Sequence, residues 1–157
     1  MINIIVGLGN PGDKYADTRH NVGAAFTVAV AKSFNIKIQP SKKYFGQLGK
    51  GRIGDHELSL LIPDTFMNES GKSVSAFLNF YRIDPSSMLV VHDDLDLPVG
   101  TARYKDGGGH GGHNGLRDII ACLGNENSFK RLRIGIDHPG DASQVTNYVL
   151  KAPLTNQ

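Results

Sequence analysis

Cysteine occurs once in the 157 residues, at Cys122, so no internal disulfide can staple the fold. A lone thiol fits a reducing cytoplasm. Long apolar runs are also missing. The longest, residues 22–31, is interrupted by Thr27 and is far too short to cross a bilayer. The first residues, Met1-Ile2-Asn3-Ile4-Ile5-Val6, carry no basic flank and no small-residue cleavage site, and they read as a first strand and not as a signal peptide. No repeat, low-complexity tract or Pro/Ser-rich linker divides the chain, which predicts one domain. Acidic residues are absent between Thr18 and Gly54, where Arg19, Lys32, Lys37, Lys42, Lys43, Lys50 and Arg52 all occur. A second basic cluster is Lys130, Arg131 and Arg133. The net charge of +2 identifies no partner by itself. Charge alone leaves two readings open, a surface for phosphate backbones and an ordinary solvated face.

What is present is an alternation of apolar patterns. Residues 2–8 form a continuous apolar run ending in glycine, the signature of a buried parallel strand. Val22, Ala25, Phe26, Ala29 and Val30 recur at helical spacing, as do Val74, Phe77, Leu78 and Tyr81. Leu116, Ile119, Ile120 and Leu123 repeat it, and Gly124 makes a natural stop. Residues 43–50 and 56–62 read as a hairpin, and residues 88–91 and 131–136 as further strands. The pattern predicts an α/β fold: a single-domain three-layer sandwich, with a twisted mixed β-sheet flanked by helices. Ligands in such sheets bind beyond the carboxyl ends of parallel strands. If the strands at residues 2–8 and 88–91 are parallel, His20 and Asp93 can meet there.

Five polar segments carry candidate chemistry. Gly7-Leu8-Gly9-Asn10-Pro11-Gly12 matches G-x-G-x-x-G, but Pro11 removes a backbone N–H from the turn and no acid follows at ribose-binding distance. The glycines are read instead as a tight turn that presents Asn10 to a cleft. In Arg19-His20-Asn21 only the imidazole can take a proton from water near neutral pH. In His92-Asp93-Asp94-Leu95-Asp96 a carboxylate could orient a distant imidazole, or the acids could simply close a strand. The glycine-rich run from Lys105 to Arg117 brackets His110 and His113 and lets a substrate backbone approach closely. In Thr65-Phe66-Met67-Asn68-Glu69-Ser70-Gly71, one of Thr65, Asn68 and Ser70 is expected to cap the following helix, while Asn68 could grip a peptide backbone. His92, Asp93, Asp94, His110, His113 and His138 are possible metal ligands, but neither H-E-x-x-H nor paired cysteines occur. No metal and no cofactor are expected.

Together these segments closely resemble the bacterial-type peptidyl-tRNA hydrolase family. The matching runs are Val6-Gly7-Leu8-Gly9-Asn10-Pro11-Gly12, Thr18-Arg19-His20-Asn21-Val22-Gly23, Pro63-Asp64-Thr65-Phe66-Met67-Asn68-Glu69-Ser70-Gly71 and His92-Asp93-Asp94-Leu95-Asp96. Asn114-Gly115-Leu116-Arg117 and Arg131-Leu132-Arg133-Ile134-Gly135-Ile136 complete them. The resemblance implies that His20 is a general base oriented by Asp93. It implies that Asn10, Asn68 and Asn114 hold peptide and water, and that Met67, Gly111 and Gly112 line a peptide groove. Tyr15 and His113 are implied near the tRNA acceptor end, and Lys105 and Arg133 at its 5′ phosphate. The implied partner is peptidyl-tRNA, through its acceptor stem and nascent peptide, with a monomer acting in the cytoplasm away from membranes. Family members usually carry a further C-terminal helical segment, which is expected to be lacking here, where the chain stops at Ala152-Pro153-Leu154-Thr155-Asn156-Gln157. The competing reading is a non-catalytic RNA-binding module on the same fold. Such a module has no need to keep His20, Asp93, Asn10, Asn68 and Asn114 together.

Overall fold

A computed structural model describes residues 1–140 and 142–150. The apolar segment after Asn3 forms β1 (Ile4–Gly7), with Ile4 and Val6 in one core and Ile5 packed against another. A strand buried on both faces has no polar side, which explains its unbroken apolar run. Helix α1 (Val22–Ser33) follows, then β2 (Gln39–Ser41) and a hairpin of β3 (Gly46–Ile53) and β4 (His56–Pro63). Helix α2 (Ser70–Tyr81) leads into β5 (Met88–Asp94). The chain continues through β6 (Ala102–Asp106), α3 (Asn114–Cys122), β7 (Lys130–Gly135) and a short α4 (Val145–Val149).

The seven strands lie in the order β2-β3-β4-β1-β5-β7-β6. The central four, β4, β1, β5 and β7, are mutually parallel, and antiparallel pairs close both edges. One core packs Ile4, Val6, Leu61, Met88 and Val90 of the sheet against Val74, Phe77 and Leu78 of α2 and Leu116 and Ile119 of α3. On the opposite face, Leu58 and Leu60 pack against Ala31 of α1 and Ile36. These two cores make the three layers. Each fully buried apolar side chain of this size contributes about 1.5–3 kcal/mol of burial.

Helix α1 comes unusually close to the sheet. A β-carbon at Gly23 would collide with the carbonyl oxygen of Val91, and one at Gly7 with the Thr27 hydroxyl. A β-carbon at Gly9 would stand 2.8 Å from the side chain of Asn21. Gly7 and Gly9 therefore serve close packing and not the tight turn expected of them; in that motif only Gly12 has a positive φ, at 90°. The packing sets the height of the segment before α1, which carries His20.

Several local expectations need correction. The first hairpin strand begins at Gly46, because Lys42 and Phe45 close a turn in which Phe45 takes φ 53°. Strands β2 and β6 and helix α4 had no visible signal: β2 is three residues with a proline, and every residue of β6 is exposed. His92, Asp93 and Asp94 extend β5 in register with Arg133, Ile134 and Gly135 of β7 instead of leaving the strand as a turn. None of Thr65, Asn68 or Ser70 caps α2. The Gly71 N–H donates instead to the carboxylate of Asp118 on α3, at 2.7 Å. Gly124, just past α3, has φ 68°, as expected for a helix stop. No helix among the described residues is long and apolar enough to cross a membrane. The expectation about residues 152–157 lies outside the described residues.

Candidate active site

The loops leaving β1 and β4 go to opposite faces of the sheet, toward α1 and α2, and this divergence opens a crevice at the carboxyl edge. Asn10 after β1 and Met67 after β4 meet across it, the Met67 N–H donating to Asn10 Oδ1 at 2.7 Å. The crevice widens into a cleft of about 1050 Å³. All the residues singled out from the sequence line it: Asn10, Tyr15, His20, Met67, Asn68, Asp93, Lys105, Gly111, Gly112, His113, Asn114 and Arg133.

His20 sits in a one-turn 3-10 helix, Arg19–Asn21, and Asp93 near the end of β5. The His20 Nδ1 lies 2.8 Å from both Asp93 oxygens. Burial by itself would raise the Asp93 carboxyl. The electrostatic interaction and hydrogen bond with His113, followed by the hydrogen bond and electrostatic interaction with His20, outweigh it and hold the group well below the usual carboxylate range. An ionised carboxylate only accepts, so Nδ1 carries the proton and Nε2 keeps its lone pair. His20 Nε2 has no protein partner among the described residues.

Three amides line the same cleft. Asn10 commits its oxygen to Met67, which leaves its amide N–H groups for a ligand. Asn68 is exposed in the 3-10 turn Met67–Glu69. Asn114 opens α3, and its oxygen lies 3.5 Å from the Arg117 guanidinium. Gly111 and Gly112 have φ 58° and 82° and nothing within 4 Å of an added β-carbon, so the loop is open to an approaching ligand. His113 also lines the cleft. It is the residue before α3, its Nδ1 accepts from the Gly115 and Leu116 N–H groups, and its Nε2 lies 2.7 Å from Asp93 Oδ1.

Lys105 and Arg133 stand on the neighbouring strands β6 and β7. The Nε of Arg133 donates to Asp94 at 2.7 Å, which fixes the guanidinium plane. The basic stretch before residue 54 does not converge on the cleft: Lys43 lies over Phe80, Lys50 over Tyr81, and Arg19 stacks on Tyr148 at 3.9 Å.

The donor atoms of His20, Asp93 and His113 lie within 4.8 Å of one another, the one such group among the described residues. His92, Asp94, His110 and His138 do not join them. Two of these three donors are occupied as N–H groups on the carboxylate, so a metal would have to displace both protons.

Four residues have roles here that sequence reasoning did not assign. Asn21 braces Asn10 through two hydrogen bonds. Arg131, almost fully buried, donates to the carbonyls of Gly108, Gly109 and Asn127 and so pins the glycine loop. His92 is buried beside His113, and burial first and the charge of His113 second lower its pKa to about 4. Phe66 is exposed at the rim, edge-on to Tyr15. A basic or polar residue in an otherwise buried strand position was the available signal for Arg131 and His92.

A three-layer α/β sandwich thus carries an imidazole on a buried carboxylate at its carboxyl edge, an arrangement suited to the water activation of a hydrolase. The family model described as Peptidyl-tRNA hydrolase matches residues 4–157. Peptidyl-tRNA hydrolase of Haemophilus influenzae is 57% identical over 152 residues, covering 97% of this chain and 78% of that one. That of Azotobacter vinelandii is 57% identical over 157 residues, covering 99% and 81%. The crystal structure of peptidyl-tRNA hydrolase from Acinetobacter baumannii superposes with a TM-score of 0.95 at 48% identity, covering 99% of this chain and 78% of that chain. The chain belongs to the peptidyl-tRNA hydrolase family.

Proposed function

We propose that this chain hydrolyses the ester joining peptide to tRNA in peptidyl-tRNA, with His20 as general base and Asp93 orienting it. The observation that carries the reading is the buried Nδ1–carboxylate contact at 2.8 Å, which leaves His20 Nε2 unpaired on the cleft side. Nε2 takes a proton from water as the water oxygen attacks the ester carbonyl. Asp93 stabilises the resulting imidazolium without itself becoming protonated. The imidazolium then returns the proton to the departing ribose oxygen. An ester has a better leaving group than an amide, so one activated water suffices without a covalent nucleophile. General-base catalysis of this kind is worth about 10²–10⁴-fold.

The amide N–H groups of Asn10, Asn68 and Asn114 hold the peptide backbone and the water and stabilise the developing oxyanion. Contacts to backbone and not to side chains accept any peptide sequence. Met67, Gly111 and Gly112 form the floor of the peptide groove, and Tyr15 lies toward the acceptor end. Lys105 and Arg133 take the 5′ phosphate of the acceptor stem, a contact that reads position and charge but no base. The two cores on one sheet support a single domain. The test is hydrolysis of N-acetylated aminoacyl-tRNA in excess chelator. Wild type is expected to keep full activity and His20→Ala to bind substrate with little turnover. Loss of wild-type activity in chelator, or near-normal turnover by His20→Ala, overturns the scheme.

A further inference from the structure

The ring of His113 is used on both of its nitrogens. Its Nδ1 accepts the Gly115 N–H at 3.1 Å and the Leu116 N–H at 3.3 Å, capping α3. An imidazole nitrogen that accepts has no proton, so the neutral ring carries its hydrogen on Nε2. That atom lies 2.7 Å from Asp93 Oδ1, and the two side chains are only 9% and 2% exposed. Asp93 thus sits between two imidazoles, His113 on one oxygen and His20 on both. The carboxylate cannot turn toward either ring without giving up the other.

A cap alone does not call for histidine, because Ser, Asn, Asp and Thr are the favoured capping residues. Those side chains are too short for a second group to reach across to Asp93. Histidine is long enough, and here its second nitrogen reaches the buried carboxylate. The ring is backed by His92, whose centroid is 5.1 Å away at 69°. His92 donates its own Nδ1 proton to the Asp93 carbonyl at 2.8 Å, and burial keeps it neutral, so it does not compete for the carboxylate. Asp94, the remaining acid beside the group, is paired with Arg133.

We propose that His113 is a positioning residue that locks the Asp93 carboxylate against His20, tying the start of α3 to the reacting pair. The proposal rests on the reading of His20 as base. It places His113 in the orientation of the pair and not only at the tRNA end of the cleft. Its Nε2–H shares the negative charge of Asp93, which keeps the carboxylate ionised and the His20 proton on Nδ1.

Two substitutions separate the two uses of the ring. His113→Asn keeps a capping oxygen but is too short to reach Asp93. His113→Gln extends an amide N–H toward Asp93 but caps poorly. The Asn variant is expected to melt near wild type, with kcat down roughly 10–100-fold, KM within about twofold and a shifted pH–rate profile. The Gln variant is expected to melt lower and to recover most of kcat. Long-range ¹H–¹⁵N NMR of the wild type should find His113 as the Nε2–H tautomer, and Asp93→Asn should change that signal. Wild-type kcat in the Asn variant, a rise in KM alone, or a proton on Nδ1 of His113 overturns the proposal. His20→Ala assayed in parallel keeps the readings apart: if it still turns over, the base assignment fails, while the tautomer measurement still decides the His113–Asp93 link.

Discussion

The side-chain amide of Asn21 holds the backbone of Asn10 at both ends: the Asn10 N–H donates to Asn21 Oδ1, and Asn21 Nδ2 donates to the Asn10 carbonyl, each at 2.8 Å. The brace aims the Asn10 side chain across the crevice at Met67. Asn21 is buried and Asn10 half-buried, so its removal leaves two partly shielded backbone groups without partners. Asn21→Ala is expected to lose about 2–4 kcal/mol of stability. Turnover should fall as well, because Asn10 loses its fixed direction. Asn21→Asp keeps the acceptor and loses the donor, and should fall between. Thermal melts and kcat on all three proteins check this; an Ala variant with wild-type stability would falsify the brace.

Asp93→Asn probes the carboxylate directly. An amide can accept from one imidazole but must offer N–H to the other, so the proton on His20 Nδ1 is no longer held in place. A loss in kcat of about 10²–10⁴-fold is expected with KM little changed. Steady-state kinetics decide, and a variant whose KM rises while kcat stays high would mean that Asp93 only binds substrate.

Much of this site was legible from residue types and order alone. An imidazole after one apolar strand and a carboxylate at the end of another converge once the strands are parallel, and they do. Asn10 and Asn68 were visible for the same reason, since each follows a parallel strand at its carboxyl end. Strand β6 was not legible, because an edge strand exposed along its whole length shows no apolar period. The bracing residues were hidden for a different reason. Asn21, Arg131 and Asp118 act through contacts with backbone groups distant in sequence, and no local pattern announces which backbone will arrive. The capping of α2 by Asp118 shows the point, since three nearer candidates looked better by spacing.

His92 makes stability depend on pH within a defined window. Its pKa falls from 6.5 to about 4 because the ring is buried. Between those values the unfolded chain binds a proton that the folded chain refuses, so stability drops as pH falls. The expected loss is about 2 kcal/mol by pH 5 and about 3 kcal/mol by pH 4. Asp93, with its pKa depressed on folding, contributes stability that is lost only below the ordinary carboxylate value, outside this window. Urea unfolding of wild type and His92→Phe at pH 7 and pH 5 measures the difference. The variant should be less sensitive to the change; equal slopes would show that His92 titrates normally in the folded chain.

Lys105 and Arg133 yield the last prediction, which concerns binding and not chemistry. The two cations line the same cleft from adjacent strands, and the Asp94 contact fixes the Arg133 plane. A cation that neutralises one phosphate releases counterions on binding, so affinity falls with salt in proportion to the number of such contacts. Lys105→Ala is therefore expected to weaken binding most at low salt and to flatten the plot of log affinity against log salt by about one. Removing the 5′ phosphate from the tRNA should flatten the plot further on wild type and have a smaller effect on the variant, which keeps Arg133. Binding is measured in a His20→Ala background so that turnover does not intervene. If Lys105→Ala instead weakens binding by a constant factor at every salt concentration, the lysine acts through packing or a neutral hydrogen bond, and the phosphate assignment is lost.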